Sequence, residues 1–326
     1  MSTQASSPKP LVPVGGVWAP AITFFQNDEI DFEAQAKYFK YLSTTGLSGL
    51  VILGTNSEAF LLTREERSKL ISTARAAVGP DFPLMCGVGA HSTKQTLELA
   101  ADAAAAGGDY LLVLPPAYFG KATTTSVVRR FYSELASKSP LPIVIYNFPA
   151  VTNGVDLDSE TITAIVRDAA AVRPDGKSNV VGVKLTCASV GKITRLAATF
   201  TPEEFTTYGG QSDFLIGGLA AGSAGCIAAF ANVFPRSASR IFALYKEGKY
   251  AEALELQKKA ALAESPCKSG IASTKYAVSQ FSAQLAGIAD AEKLLVPRHP
   301  YEEAGAAAKE NVRTVMKAMQ EIETSL

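Results

Sequence analysis

Short apolar runs rich in valine, isoleucine and leucine alternate with segments of helical periodicity through most of the chain. The runs predict strands at 17–24, 50–53, 84–88, 110–114, 143–147, 180–185, 205–208 and 226–229. Continuous apolar strands of this kind belong to a parallel sheet covered on both faces. Start signals mark the intervening helices. Thr63 with Glu66 and Ser92 with Gln95 have capping-box spacing, and Asp31 and Asp158 suit N-caps. Leu70, Ile71, Ala74 and Val78 share one helix face, and Gly79-Pro80 stops that helix. Gly107-Gly108 ends the next one.

Eight strands alternating with helices predict a (β/α)8 TIM barrel, an α/β fold. A doubly wound open sheet is the competitor, and it normally carries a glycine-rich phosphate loop. Gly87-Val88-Gly89 has Ser92 where a third glycine would sit, so that fingerprint fails. Beyond about Arg236 the strands stop, and helices are expected at 238–262, 274–285 and 302–323. The expected organisation is a disordered tail at 1–13, a catalytic barrel at 14–247 and a C-terminal helical region at 248–326.

Composition narrows the partners. With 31 basic and 31 acidic side chains, the formal net charge is zero. That gives no electrostatic reason to expect nucleic acid or an anionic membrane. Cys86, Cys187, Cys226 and Cys267 are scattered without a CxxC pair, as in proteins of reducing compartments. Residues 1–10 are rich in Ser, Thr and Pro, without the apolar core of a secretory signal or the arginine-rich pattern of a transit peptide. The expectation is a cytosolic protein. The stretch 214–235 lacks charge, but Gly217, Gly218, Gly222 and Gly225 interrupt it. It reads as a loop, short helix and strand around a site, not as a membrane span.

Barrels of this class carry chemistry at the C-terminal ends of their strands. One mouth would then gather Thr55-Asn56-Ser57-Glu58, Tyr118, Tyr146-Asn147, and Lys184 with Thr186. Lys184 stands out because it interrupts the buried strand Val180-Val181-Gly182-Val183-Lys184-Leu185. A lysine is almost never buried unless paired or used. In apolar surroundings an amine loses its preference for the charged form and can attack a carbonyl. A lysine at a strand end can also pack its stem and keep its head in water. Only His91 and His299 are present, and neither HExxH nor GxSxG occurs, so zinc sites built on several imidazoles and a nucleophile elbow are excluded. His91 is expected to cap a helix or satisfy a loop. Without a metal, the electron sink for carbanion chemistry would be an imine on Lys184, with Tyr146 moving the proton. No cofactor is expected. Thr55 and Asn56, opening a helical turn, could hold a carboxylate.

These motifs resemble those of the dihydrodipicolinate synthase and N-acetylneuraminate lyase superfamily, the pyruvate-type class I aldolases. Gly54-Thr55-Asn56-Ser57-Glu58 is similar to its Gly-Thr/Ser-Thr-Gly-Glu loop, Tyr146-Asn147-Phe148-Pro149 to its Tyr-Asn-x-Pro motif, and Gly182-Val183-Lys184 to its Schiff-base strand. Gly209-Gly210, Gly222-Ser223-Ala224-Gly225 and Ala231-Asn232-Val233-Phe234-Pro235 are similar to later signatures. The resemblance implies that Lys184 attacks the ketone of a 2-oxo acid and that Tyr146 is general acid and base. It implies that Thr55 links Tyr146 to a Tyr118 reaching in from a neighbouring subunit of a homotetramer, a dimer of dimers. Asn56, Thr186, Gly210 and Asn232 are the implied substrate contacts.

Departures from the pattern bear on the substrate. No arginine follows Pro149 before Arg167, which disfavours the lysine-pathway synthase reaction. The string Gly-Thr-Asn-Ser-Glu-Ala is similar to that of fungal 2-keto-3-deoxy-L-galactonate aldolases. The leading expectation is therefore cleavage of that sugar acid to pyruvate and L-glyceraldehyde. The alternatives are 4-hydroxy-2-oxoglutarate cleavage, sugar-acid dehydration through the same imine, and a catalytically silent binder of 2-oxo acids.

Overall fold

In the computed structural model, residues 11–326 are described, so the first ten residues of the expected tail lie outside the described region. Val12 packs against the barrel interior, and the Tyr208 hydroxyl donates to the Pro13 carbonyl at 3.0 Å. The end of the expected tail thus closes the barrel floor.

Eight parallel strands close into a barrel in chain order. They are β1 (Gly16–Pro20), β2 (Gly49–Ile52), β3 (Leu84–Gly87), β4 (Tyr110–Val113), β5 (Ile143–Asn147), β6 (Val180–Leu185), β7 (Thr206–Gly209) and β8 (Gly225–Ile227). Each lies within one or two residues of its expected position except β1, which stops at Pro20 instead of running on to Phe24. Helices α1 (Phe32–Leu42), α2 (Arg64–Val78), α3 (Thr93–Ala105), α4 (Thr125–Lys138), α5 (Ser159–Ala171), α6 (Val190–Thr199) and α7 (Leu215–Ala220) separate the strands. The capping box of Thr63 and Glu66 forms, and Ser92, Asp31 and Asp158 cap α3, α1 and α5.

Side chains alternate across the strands as a covered parallel sheet requires. Trp18, Val51, Met85, Leu112, Val144, Tyr208 and Ile227 fill the barrel interior. Their strand neighbours, such as Ile52, Cys86, Val113 and Ile145, pack outward against the helices. Trp18 meets Tyr110 and Tyr208 edge-on at 6.3 Å, which fills the lower barrel with aromatic volume.

The uncharged stretch 214–235 becomes α7, β8 and the one-turn helix α8 (Phe230–Val233). Among the described residues no helix is long and apolar enough to cross a membrane. The expected helix 238–262 is two helices, α9 (Pro235–Lys246) and α10 (Tyr250–Glu264). Gly248, at φ 77°, turns the chain between them, which periodicity alone did not reveal. Helices α11 (Ile271–Gln280), α12 (Ser282–Leu285), α13 (Ala291–Leu294) and α14 (Ala306–Ser325) complete the C-terminal region.

Candidate active site

The direction of Lys184 is set by an irregularity in β6. Ile143 pairs with Val180, but Val144 pairs with Gly182, so Val181 is skipped. Val181 faces the barrel interior, whereas Val183 and Leu185 face the helices. The extra residue shifts the strand's alternation by one. Lys184 therefore points inward, in register with Tyr146 of β5 and Tyr208 of β7. Its side chain is buried, with Nζ 4.3 Å from the centre of the Tyr146 ring. Among the described residues it has no carboxylate within ion-pair distance. A strand-end lysine whose head reaches water does not describe this geometry.

Thr55 and Asn56 lie on a single turn, Thr55–Ser57, directly after β2. The Thr55 Oγ1 and Tyr146 hydroxyl are 3.2 Å apart. The turn is held in unusual backbone geometry: Leu53 and Glu58 flank it with φ of 65° and 56°. Non-glycine residues in this region carry strain that surrounding contacts must hold in place. Gly87 makes the close packing possible, because a Cβ there would lie 1.9 Å from the Leu53 carbonyl oxygen.

Thr186 and Gly210 meet on the other side of Lys184. A Cβ on Gly210 would lie 2.2 Å from Thr186 Oγ1, so only glycine permits this approach. Thr186 Oγ1 is itself buried without a hydrogen-bond partner in the protein. Buried hydroxyls are nearly always satisfied, which marks this one as an unspent donor.

Asn232 and Tyr118 have other partners within the described chain. Asn232 is fully buried, and its amide donates to the carbonyls of Pro20 at 2.9 Å and Ala229 at 3.1 Å. It ties the end of β1 to α8 through those donors, while its Oδ1 is buried without a hydrogen-bond partner among the described residues. Tyr118 is 72% exposed at the rim, beside His91 at 5.8 Å and Phe119 at 5.3 Å. The chain brings together Lys184, Tyr146 and Thr55 but does not bring its own Tyr118 to them. His91 caps nothing, since Ser92 caps α3; its ring lies between Phe60, at 5.9 Å, and Tyr118.

Of the other polar residues around the mouth, Arg67, Asp156 and Lys192 carried no recognisable signal. Arg67 of α2 is buried and donates to the carbonyls of Ala59 at 3.3 Å and Gly87 at 3.0 Å. It lines a cavity of about 20 Å³ with Thr55 and Tyr146, and desolvation pushes its guanidinium down to about 10. Only a burial pattern on α2 could have flagged it. Asn147 is buried and bridges Asp156 at 2.7 Å and the Leu157 N–H at 2.9 Å, while Lys192 pairs with Asp156.

The description of the Dihydrodipicolinate synthetase family matches residues 13–319. The chain belongs to this family. A relative from Coccidioides immitis, whose name proposes a mitochondrial 4-hydroxy-2-oxoglutarate aldolase, is 63% identical over 97% of this chain and 99% of its own. One from Emericella nidulans with a name of the same meaning is 39% identical over 84% of this chain and 86% of its own. The L-threo-3-deoxy-hexylosonate aldolase of Hypocrea jecorina is 34% identical over 82% of this chain and 86% of its own. A crystal structure from Coccidioides immitis, described as a proposed dihydrodipicolinate synthase family protein, superimposes with a TM-score of 0.90 at 60% identity, covering 97% and 99% of the two chains. As a member of the dihydrodipicolinate synthetase family this protein is an aldolase, a carbon–carbon lyase acting on a small molecule. The expectation of a cytosolic protein is corrected: the Coccidioides and Emericella relatives are both named mitochondrial. A Ser-, Thr- and Pro-rich start with few charges did not decide the compartment.

Proposed function

We propose that this aldolase cleaves 4-hydroxy-2-oxoglutarate to pyruvate and glyoxylate through an imine on Lys184. The observation that carries the reading is 63% identity, over nearly the whole chain, to a relative whose name proposes that activity. The sugar-acid aldolase name occurs at 34%. The order expected from the sequence is therefore reversed. A missing arginine after Pro149 argues against one known partner aldehyde, but it does not exclude a distal carboxylate held by neutral donors. Thr186 Oγ1 offers one such donor.

In this reading the Lys184 amine adds to C2 of the substrate, and loss of water gives the protonated imine. Thr55 and Asn56 hold the C1 carboxylate. Tyr146 takes the proton from the C4 hydroxyl as the C3–C4 bond breaks, releasing glyoxylate and leaving an enamine. Protonation at C3 and hydrolysis then release pyruvate and return the free amine. Thr55 supports Tyr146 through the hydroxyl contact at 3.2 Å. Tyr118, exposed with Phe119 and Phe60 at the rim, is available to a neighbouring copy in the tetramer that the resemblance implies.

The Thr186 hydroxyl suits a substrate hydroxyl as well, and the Hypocrea relative favours 2-keto-3-deoxy-L-galactonate as the second reading. Pyruvate release from the two acids, measured side by side, decides between them. Greater kcat/KM for 4-hydroxy-2-oxoglutarate supports the proposal, and a preference for the sugar acid overturns it. Borohydride trapping with pyruvate tests the imine: Lys184→Ala must abolish the adduct.

A further inference from the structure

Outside the catalytic cluster, one ion pair is fully enclosed. Lys275 of α11 donates from Nζ to Glu58 Oε1 at 2.6 Å and to the Val296 carbonyl at 3.0 Å, with both charged side chains buried. The other oxygen, Glu58 Oε2, accepts the Arg298 N–H at 2.7 Å. The Arg298 guanidinium in turn reaches Glu66 at 2.7 Å. An enclosed ion pair gives little net stability over an apolar pair of the same shape. What it supplies here is position. Glu58 ends the turn that carries Thr55 and Asn56, and its N–H closes that turn on the Thr55 carbonyl at 3.0 Å. From the opposite side, Thr23 Oγ1 donates to the Ser57 carbonyl at 2.8 Å.

The same stretch of C-terminal chain holds a second mouth loop. Glu264, the last residue of α10, accepts from the Ser212 N–H at 3.0 Å and the Ser212 hydroxyl at 2.6 Å. Gln257 donates to the Ser212 carbonyl at 2.8 Å, and Lys268 pairs with the adjacent Asp213. Ser212 follows Gly210, whose backbone abuts Thr186.

We propose that the segment from Glu264 to Lys275 is a brace between two halves of the mouth, with Lys275 and Glu264 as positioning residues. Lys275 acts through Glu58 on the Thr55–Asn56 grip, which every 2-oxo acid shares. Glu264 acts through Ser212 on the Gly210–Thr186 side, where the departing aldehyde half lies. What the two loops hold rests on the aldolase reading above; that they are braced does not.

The test compares Lys275→Met, the double variant Glu58→Gln/Lys275→Met and Glu264→Gln with the wild type. The double variant removes both charges together, so it retains the fold if the single change does not. Amide hydrogen exchange over 54–58 and 210–213 is measured with thermal unfolding, half-saturation for pyruvate trapping, and kcat and KM on both substrates. Breaking the Lys275 link speeds exchange at 54–58 and raises half-saturation for pyruvate, with kcat/KM falling on the order of a hundredfold on both acids. Glu264→Gln speeds exchange at 210–213 and changes the ratio of kcat/KM between the acids while leaving pyruvate half-saturation alone. A folded double variant with unchanged loop exchange overturns the brace. So does a lower melting temperature with unchanged KM, which makes the pair structural only. If the wild type traps no pyruvate, the aldolase reading fails by itself, and loop exchange alone decides the brace.

Discussion

The hydroxyls of Thr55 and Tyr146 stand 3.2 Å apart across the barrel mouth, although 91 residues separate them in the chain. Each needs the other to fix where its proton points. Tyr146→Phe is expected to lower kcat by about a hundredfold or more, the usual worth of positioned acid–base groups. Thr55→Val keeps the shape and leaves the phenol without that contact, so it should lower kcat as well. Because the two act as one unit, the double variant should lose far less than the product of the single losses. Steady-state kinetics on all three variants provides the check; simple additivity would separate their roles.

Among the described residues Lys184 is a buried amine without a carboxylate partner, and burying such a group costs stability. Lys184→Met should end turnover and raise stability by about 1 kcal/mol. Urea unfolding monitored by circular dichroism reads the change, and a loss of stability would show that the amine has an unrecognised structural role.

The unspent hydroxyl of Thr186 predicts the opposite combination. Thr186→Val should leave stability unchanged, since no protein hydrogen bond is lost. It should raise KM for the cleaved acid roughly tenfold, the worth of one hydrogen bond to substrate. Unchanged KM would remove Thr186 from the binding site.

Glu264 makes stability depend on pH. Desolvation raises its carboxyl to about 7, against hydrogen bonds from Ser212 and the charge of Lys268, while Asp213 pushes in the same direction as burial. The unfolded chain releases this proton near the ordinary glutamate value of 4.5. Between those values the folded state binds more protons, so stability falls as pH rises through the window and is level above it. Glu264→Gln removes this dependence. Relative to wild type it should gain roughly 3 kcal/mol between pH 4.5 and 7. Denaturant titrations at pH 5 and pH 8 measure it; an equal difference at both values would contradict the shift.

Much of the barrel was legible because its determinants are local. Apolar runs, capping residues and glycine stops each act within a few positions, so strands β2 to β8 and the caps of α1, α2, α3 and α5 follow from the sequence. Lys184, Tyr146 and Thr55 were legible because a strand-end rule places such residues at one mouth. That the Asn232 amide donors clamp the backbone was not legible, because a motif does not tell a backbone clamp from a ligand contact. The Lys275–Glu58 pair was invisible for a different reason. Its partners are 217 residues apart; Glu58 stands in the mouth motif, but Lys275 looks like an ordinary surface charge within its helix. The compartment was misread because composition of a short terminal stretch is weak information.

The skipped residue in β6 makes the position of the amine a question of counting. With Val181 out of step, Lys184 shares the interior with Tyr146; in an even alternation the same lysine would lie among the outer helices. A strand of the same length paired evenly, without the skipped residue, would leave every chemical group of the motif present and turn the amine away from the mouth. The proposed reaction would thus be encoded partly in the parity of a strand, which no list of matching side chains records.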